Sequence, residues 1–305
     1  MIAQRLCRRL PPIISARVRS VIYPQRLAFR DDLPFTVKSL SGSHFSGRTS
    51  DFHGYPFSVH GYYEWRNWAL ASVVCEMGDT IIEIGANVGT ETVGFRDIVG
   101  HSGKLFAFEP VPSNLEALRQ LTVFNQWENV RILPYALGEE EAQLQFALPP
   151  NKHASGVGHL ALGFRTKTDR TIEIECRRLD SFADEIGSAR AVFCDAEGAE
   201  TMILRGAENY LRHEKPILVL EASPKLLVRA GSSLQELHAI LCSLNYVAFA
   251  VGRFGLTPVK QLNSSRASNW FCVHDSMTGL AQKCSSTITR CGLMPCVRGL
   301  NPLCR

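Results

Sequence analysis

Along most of the chain, hydrophobic and polar residues are spaced with the periods that are typical of strands and helices. From residue 80 onward, short apolar runs rich in β-branched residues precede longer amphipathic segments, which is typical of βαβ units around a mainly parallel sheet. The predicted strands are 80–84, 104–108, 130–135, 191–194, 216–220 and 246–251, and the predicted helices are 64–75, 88–99, 113–125, 179–186, 200–212 and 234–244. The pattern predicts an α/β fold with a mostly parallel sheet and helices on both faces.

This regular pattern is interrupted in the middle of the chain. Residues 142–147 and 171–176 alternate apolar and polar side chains, as half-exposed antiparallel strands do. Between them, 149–167 has no period and is rich in Gly, Ser, His and Lys. A loop of this length inside a compact domain is usually functional or disordered, so we expect a lid or a substrate loop. Residues 270–273 predict a last strand, at the antiparallel edge of the sheet.

The two ends of the chain differ in composition from its body. Residues 1–30 contain seven Arg and no acid, and residues 276–305 contain four basic residues and no acid. The body between them is therefore acidic although the whole chain has a net charge of +4, and it lacks the basic stripe of a nucleic-acid binder. Neither end has a clear period, and chain ends are often poorly ordered. The predicted division is a flexible basic arm at 1–32, a folded domain at 33–275 with a cover at 33–78 and a core at 79–275, and a flexible Cys-rich tail at 276–305.

Cysteine usage and hydropathy bear on the compartment. The ten cysteines form no Cys-x-x-Cys pair, which disfavours a zinc ribbon or a redox motif. Free thiols indicate a reducing compartment, and no apolar run approaches the roughly 18 residues of a membrane span. We expect a cytoplasmic protein. The Arg-rich start also resembles a mitochondrial presequence, a weaker alternative because Pro11 and Pro12 would break its helix.

The most informative motif is the loop that follows the strand at 80–84. A dinucleotide fingerprint has glycines at its first, third and sixth positions. Here the first position is Gly85, but the third is Asn87, the fifth is Gly89 and the sixth is Thr90. A strand, a tight turn and a helix bring backbone N–H groups close to a ligand. The spacing disfavours a pyrophosphate and favours a nucleoside, of which S-adenosylmethionine is the obvious one.

Three acids stand at the ends of predicted strands. They are Glu83, Glu109 and Asp195, and Glu109 follows Gly85 by 24 residues. Ligands of open parallel sheets bind beyond the carboxyl ends of the strands. A carboxylate there can accept strong hydrogen bonds from both hydroxyls of a ribose. The acids and the glycine loop together predict a nucleoside site.

Several segments together resemble FkbM-type methyltransferases. They are Ile-Glu-Ile-Gly-Ala-Asn-Val-Gly at 82–89, Phe-Ala-Phe-Glu-Pro at 106–110 and Asp-Ala-Glu-Gly-Ala-Glu at 195–200, supported by 216–221. The resemblance runs from about residue 64 to 223, and its Asp-x-Glu-Gly-x-Glu element is the most specific part. It implies a Rossmann-like class I methyltransferase fold with an antiparallel edge strand. It also implies methyl transfer from S-adenosylmethionine, typically to a hydroxyl of a sugar, a glycan or a natural product.

The resemblance and the chemistry of that cofactor give roles to individual residues. Glu83 can offset the ammonium charge, the loop N–H groups from Ala86 to Gly89 can approach the amino-acid end, and Asn87 can supply amide hydrogen bonds. Asp195 ends the fourth strand, near where the methyl group should point. The predicted cofactor-binding residues are Glu83, Gly85, Ala86, Asn87, Gly89, Glu109 and Asp195.

A hydroxyl acceptor must also lose its proton, and a positioned base accelerates such a step by about 10²–10⁴-fold. Asp195 is the first candidate base, and Glu197 and Glu200 are the next. His153 or His159 in the long loop is a further candidate. Glu197 and Glu200 alternatively favour only the positive end of the following helix. The same acids could hold a divalent ion, but the helix start is the simpler account and we expect no metal.

Two other functions stay open. A nicotinamide-dependent oxidoreductase would need glycine where Thr90 stands, and a binding protein without turnover would show a broken loop or lost acids. The acceptor is expected to be a small molecule or a glycan rather than a nucleic acid, but no code for it is readable. The aromatic side chains of Tyr62, Tyr63, Trp65 and Trp68 can floor a sugar site by stacking, although their helical spacing is more typical of a core.

Overall fold

The computed structural model describes residues 2–148, 159–160, 170–260, 262 and 267–304. Its helices are α1 (Ile2–Cys7), α2 (Pro12–Ile22), α3 (Gln25–Asp31), α4 (Gly54–His60), α5 (Trp65–Val74), α6 (Thr92–Val99), α7 (Pro112–Phe124), α8 (Ala183–Ile186), α9 (Glu200–Gly206), α10 (Glu208–Glu214), α11 (Pro224–Arg229), α12 (Leu234–Ser243) and α13 (Leu280–Leu293), with 3-10 turns at Leu179–Phe182 and Asp275–Met277. Its strands are β1 (Pro34–Lys38), β2 (His44–Arg48), β3 (Thr80–Ile84), β4 (Lys104–Phe108), β5 (Val130–Leu133), β6 (Ala136–Leu137), β7 (Ala142–Ala147), β8 (His159–Leu160), β9 (Thr171–Arg177), β10 (Ala191–Cys194), β11 (Ile217–Ala222), β12 (Tyr246–Gly252), β13 (Gly255–Pro258) and β14 (Ser268–His274).

The centre of the molecule is a Rossmann-like sheet of eight described strands. Their order is β13-β12-β14-β11-β10-β3-β4-β5, and the strands from β11 to β5 run parallel. The chain moves outward from β3 to β5 and then returns to β10 on the other side of β3. The strand order therefore reverses between β3 and β10, and a crevice for a ligand is expected beyond their carboxyl ends.

The strand at 270–273 lies inside the sheet, although the sequence predicts an edge position for it. As part of β14 it pairs antiparallel with β11 on one side and with β12 on the other. The reason is its uninterrupted burial from Trp270 to Val273, since a strand with two neighbours and two covered faces needs apolar side chains throughout. The antiparallel edge strand of the sheet is β13.

Hydrophobic cores cover both faces of the sheet. Neighbouring residues of β3 point to opposite faces of the sheet. Ile81 belongs to the core that contains Trp68 of α5 and Phe95 of α6. Ile82 belongs to the other core, with Leu204 of α9 and residues of α12. At Gly94 of α6, any side chain would collide with the Trp68 ring. The alternation fixes both layers of helices on β3 and thereby the position of the loop that follows it.

A smaller sheet of order β6-β9-β7-β8 contains the two half-exposed strands that the sequence predicts. β7 and β9 pair antiparallel, as expected from their alternating pattern. The predicted lid at 149–167 falls almost wholly outside the described residues, and so does His153. His159 is described only as backbone in β8.

Both ends of the chain differ from the flexible arms that their composition predicts. In the N-terminal segment, Cys7, Ser15 and Ala28 are fully buried. At the other end, Cys284, Ile288 and Cys291 of α13 are fully buried in the core that also contains residues of α5. Their spacing of four and then three residues forms one helical face, and this face is hard to see in a sequence when two of its members are cysteines.

All ten cysteines are free thiols. Within the described residues, no helix is both long and apolar enough to cross a bilayer.

Candidate active site

A cavity of about 340 Å³ lies beyond the carboxyl ends of β3, β4 and β10. Cavities of this size accept small-molecule ligands. Most of the sequence-predicted site residues line it, namely Glu83, Gly85, Ala86, Asn87, Glu109, Asp195 and Glu197. Gly89 does not line it. A side chain at Gly89 would instead collide with Leu121 of α7, and its φ of +88° is left-handed, so this glycine serves helix packing.

The glycine loop is held tightly against its neighbours. Gly85 has a φ of +83°, and a Cβ there would collide with the carbonyl oxygen of Asp195. The amides of Gly85 and Ala86 both donate to the carbonyl of Phe108, at 3.0 and 3.1 Å. The amide of Gly89 donates to the carbonyl of Ala86 at 2.9 Å. The sequence predicts ligand-facing N–H groups from Ala86 to Gly89, whereas the structure commits those of Ala86 and Gly89 to protein partners.

Glu109 joins two loops at the mouth of the sheet. Its Oε2 accepts from the Asn87 amide at 2.8 Å, and its Oε1 accepts from the Val111 amide at 2.8 Å and the Asn114 Nδ2 at 3.3 Å. Burial raises the pKa of Glu109 to about 7, although these hydrogen bonds favour the charged form. A carboxylate has about four lone-pair positions. Three of them are occupied, and Glu109 therefore retains one position, on Oε2, for a hydroxyl group of a ligand.

Asn87 presents a buried acceptor that has no partner. Its φ of +50° is left-handed, a conformation that Asn tolerates. Its Nδ2 lies 2.6 Å from Nδ1 of His53, and desolvation lowers the pKa of His53, so the neutral ring accepts from the amide. This leaves Oδ1 of Asn87 without a hydrogen-bond partner among the described residues. A ligand that donates hydrogen bonds, such as an ammonium or a hydroxyl, fits there.

Glu83 is buried below the loop. Its Oε2 accepts from Oγ1 of Thr92 at 2.7 Å. Burial raises the pKa of Glu83 to about 8, and the neighbouring Glu109 adds to the rise. A cation bound beside Glu83 would lower this pKa, because opposite charge favours the ionised carboxyl.

Asp195 forms a carboxyl pair with Glu221 of β11. Asp195 is accessible from the cavity, but the walls enclose it, and this desolvation raises its pKa while a hydrogen bond with Glu221 opposes the rise. Burial and the charge of Asp195 raise the pKa of Glu221 to about 9. Glu221 is therefore protonated at neutral pH, and its hydrogen bond favours the ionised form of Asp195. The sequence includes Glu221 in the family resemblance without giving it a role.

The other two acids of the Asp-x-Glu-Gly-x-Glu element have different surroundings. Glu197 has a left-handed φ of +54°, and its Oε2 lies 3.5 Å from a guanidinium nitrogen of Arg229. Glu200 is almost fully buried and turns back to the loop, where its Oε1 accepts from the amides of Ala196 at 3.0 Å and Gly198 at 3.4 Å. Glu200 thus shapes the loop that presents Asp195. Among the described residues, no group of His, Cys, Asp and Glu side chains is arranged to hold a metal ion.

The segment before β3 supplies further cavity residues. Tyr63 is one of the aromatic residues that the sequence offers for stacking, whereas Phe52, His53 and Glu64, together with Glu91 from the start of α6, were not identified from the sequence. Glu91 accepts from Nδ2 of Asn67 at 2.8 Å, and burial raises its pKa well above the usual value. The aromatic run at 62–68 is the one signal for this contribution. The residues of this run have different places in the structure. Tyr63 lines the cavity, and Trp68 belongs to the core.

The cavity as a whole is acidic. Seven carboxyl side chains line it, and its described lining contains no Lys or Arg. They are Glu64, Glu83, Glu91, Glu109, Asp195, Glu197 and Glu221. Enclosed carboxyl groups without counter-charges have raised pKa values and favour a cationic occupant. Together with the free acceptor of Asn87, this charge pattern fits a ligand that carries a sulfonium and an ammonium group.

Comparisons with known proteins agree with this arrangement. A family model described as the methyltransferase FkbM domain matches residues 83–248, which is more than half of the chain. The comparison with curated proteins gave no match.

The structure is similar to several solved methyltransferases. One is the precorrin-6y C5,15-methyltransferase of Geobacter metallireducens, with 15% identity over 69% of this chain and 87% of that chain and a TM-score of 0.40. Another is the FkbM methyltransferase of Methylobacillus flagellatus, with 16% identity over 84% of this chain and 60% of that chain and a TM-score of 0.40. A third is the Aeropyrum pernix fibrillarin with natively bound S-adenosylmethionine, with 11% identity over 68% of this chain and 76% of that chain and a TM-score of 0.38. Likenesses of this size carry no information about an acceptor.

Proposed function

Because the chain belongs to the FkbM methyltransferase family and uses S-adenosylmethionine as its methyl donor, we propose that it methylates a hydroxyl group of a sugar, a glycan or another natural product. The Rossmann-like class I methyltransferase fold places the carboxyl ends of β3, β4 and β10 around one cavity. The observation that carries the proposal is the carboxyl pair of Asp195 and Glu221 in that cavity. A hydroxyl acceptor needs a base, and this pair supplies one.

The residues around the glycine loop hold the cofactor. Glu109 accepts a hydrogen bond from a ribose hydroxyl, Asn87 accepts one through its free Oδ1, and Glu83 offsets the positive charge. When bound, S-adenosylmethionine supplies an electrophilic methyl group and leaves as S-adenosylhomocysteine. The acidic lining described above supports this assignment, because its carboxyl groups can offset the positive charges of the ligand and the described lining contains no Lys or Arg that would compete for them.

Asp195 is the proposed base. Glu221 keeps its proton at neutral pH and donates a hydrogen bond to Asp195, which favours the ionised form of the Asp195 carboxyl and holds it in place. The enclosed position raises the pKa of Asp195, and a base whose pKa lies nearer the operating pH accepts a proton more readily. Asp195 would take the O–H proton of the acceptor, whose oxygen would receive the methyl group released by cleavage of the S–CH₃ bond. Glu197 is the second candidate, and His153 stays a candidate outside the described residues.

The acceptor is expected to be a small molecule or a glycan rather than a nucleic acid, because the acidic body of the chain lacks the basic stripe of a nucleic-acid binder. Free cysteines are consistent with the reducing cytoplasm as its location. The acceptor class and the location both follow from composition and stay predictions.

The test uses S-adenosylmethionine with a ¹³C-labelled methyl group and a panel of neutral and acidic glycosides. We expect a methyl signal on oxygen in the product by NMR, with S-adenosylhomocysteine formed in equal amount. A label on nitrogen or carbon would contradict the hydroxyl acceptor and leave methyl transfer intact. Calorimetric binding of NAD in place of S-adenosylmethionine would instead support the oxidoreductase alternative, and cofactor binding without any product would support a binding protein.

A further inference from the structure

A second cavity, of about 300 Å³, adjoins the first. The two share the side chains of Phe52, Tyr63 and Glu64. The walls of the second come from α2, α4 and the start of α5, all of which precede the residues that match the family. The family match at 83–248 therefore says nothing about the ligand of this second cavity.

One face of α2 forms a wall of this cavity. Pro12, Ala16 and Arg19 line it, and their spacing of four and then three residues places them on the same side of a helix. Arg17 of the same helix is exposed and does not line the cavity. The Arg-rich start of the chain thus has a folded role at this place.

His60 gives the cavity a neutral hydrogen-bond acceptor. The residue is 2% exposed. Oγ of Ser15 donates to the carbonyl of Cys7 at 2.7 Å and lies 2.7 Å from Nδ1 of His60, so Nδ1 carries the ring proton and donates to Ser15. Nε2 is left as an acceptor, and it has no partner among the described residues. Burial, with Arg19 and Arg8 nearby, lowers the pKa of His60 to about 3, which keeps the ring neutral and ready to accept from a hydroxyl.

Two arginines give the cavity its charge. The guanidinium of Arg19 lies 4.5 Å from the centre of the Tyr55 ring, and its Nε has no partner among the described residues. Arg66 packs over Trp65 at 4.4 Å, and its Nε donates to the carbonyl of Gly252 at 3.1 Å. The one acid in the described lining is Glu64, whose burial raises its pKa. The balance of charge therefore favours an anion.

Aromatic rings complete the walls. Tyr62 stacks on the His60 ring with centroids 5.1 Å apart, and Tyr55, Tyr63 and Trp65 also line the cavity. Flat apolar faces beside a few fixed polar groups are typical of small-ligand sites. A sugar ring can pack against these faces while its hydroxyls reach His60.

We propose that this second cavity binds the anionic, hydroxylated part of the acceptor, a sugar that carries a carboxylate or a phosphate. The anion would pair with Arg19 and Arg66, a hydroxyl would donate to His60, and the rest of the acceptor would pass Phe52, Tyr63 and Glu64 to reach Asp195. The inference rests on the proposed function, since it assigns the acceptor of that reaction.

The probes are methyl glucuronide for the carboxylate, glucose 6-phosphate for the phosphate, and methyl glucoside and glucose as their neutral counterparts. Binding is measured by titration with the full chain saturated with S-adenosylhomocysteine. We expect at least one anionic probe to bind about tenfold or more tightly than its neutral counterpart, as a charged hydrogen bond would give. Which of the two binds identifies the anion. Arg19→Gln should remove the difference, and Arg17→Gln on the same helix should keep it.

Each variant is first tested for S-adenosylhomocysteine binding. If the Arg19→Gln variant does not bind S-adenosylhomocysteine, the Arg66→Gln variant is used in its place. Equal affinity for charged and neutral probes, no binding of either anion, or an unchanged preference in the arginine variant would overturn the inference. In these cases retained S-adenosylhomocysteine binding leaves the proposed function standing. Failure of the wild-type chain to bind S-adenosylhomocysteine would count against the proposed function itself.

Discussion

The two adjoining cavities have opposite charge and different origins. The first is lined by seven carboxyl groups and no described Lys or Arg, and most of these acids stand at the ends of the central strands. The second has two arginines, a neutral histidine and several aromatic rings, and it is built by helices and a loop before β3. The charge of the first cavity thus favours a cation, and the charge of the second, in the part of the chain before β3, favours an anion.

This difference separates the residues proposed to bind the methyl donor from the residues proposed to bind the acceptor. The acids of the first cavity are placed by strands whose burial on both faces fixes their position. The side chains of the second come mainly from α2, α4 and the start of α5, which precede the residues that match the family. Function resides in sites carried by a fold rather than in the fold itself. The acceptor is therefore expected to be selected by the segment outside the family match.

The strongest test of the comparison is removal of the base from the acidic cavity. Asp195→Asn keeps the size of the side chain but cannot take a proton, so we expect turnover to fall about 10²–10⁴-fold. Affinity for S-adenosylhomocysteine should change little. The measurement is single-turnover kinetics with Asp184→Asn, an exposed acid of α8, as control. Near-normal turnover would exclude Asp195 and make Glu197 or His153 the next residue to test.

The second test asks whether the end of the chain supports the cover. Ile288 of α13 is fully buried, and Gly292 of the same helix packs against Ile13 and Trp65. Ile288→Ala should lower the free energy of unfolding by about 2–5 kcal/mol. Denaturant unfolding measures the change, with exposed Lys283→Ala as control. An unchanged stability would show a flexible tail, as the composition alone predicts.

The third test separates the two cavities by affinity. Glu109→Ala removes the proposed ribose acceptor, and S-adenosylhomocysteine binding should weaken by about 1.5–3 kcal/mol, the range for charged hydrogen bonds. Binding of the anionic sugar probe should stay, because Glu109 does not line the second cavity. Exposed Glu116→Ala on α7 is the control. Equal loss at both cavities in a folded variant would mean that they form one site.

The smallest expected effect is on pH dependence. Glu83 has a folded pKa of about 8, above its ordinary value, so the protein without cofactor favours the protonated form and loses stability as the pH rises through 8. A cationic cofactor favours the ionised form. Its affinity should therefore rise about fivefold between pH 7 and 8 as Glu83 loses its proton. Calorimetry across this range measures the change. Glu83→Gln should flatten it, and a steep rise retained in that variant would assign the proton elsewhere.

The central sheet could be predicted because its signals are local. Apolar runs with β-branched residues, the loop from Gly85 to Gly89 and the acids after each strand all lie within a few residues of one another. The structure confirms the strands and brings Glu83, Glu109 and Asp195 to one cavity. Periodicity on the scale of a single strand or helix is sufficient for such features.

The remaining features depend on contacts between distant parts of the chain. His53 meets Asn87 across 34 positions, and no local pattern indicates that approach. The loop amides were expected to face a ligand. Instead, the amide of Ala86 donates to a carbonyl of β4, and the amide of Asn87 donates to Glu109. The terminal helices were missed because arginines and cysteines hide their apolar faces. Tertiary packing decided all three cases.

The common wall of Phe52, Tyr63 and Glu64 has a thermodynamic consequence. A side chain that touches both occupants cannot respond to one without changing the surroundings of the other. Any coupling between them must be reciprocal: if the donor tightens acceptor binding by some factor, the acceptor tightens donor binding by the same factor. Glu64 would extend this coupling to charge, since its carboxyl lines both cavities and would stand between the proposed cation and the proposed anion. Two sites of opposite polarity can in this way behave as a cooperative unit.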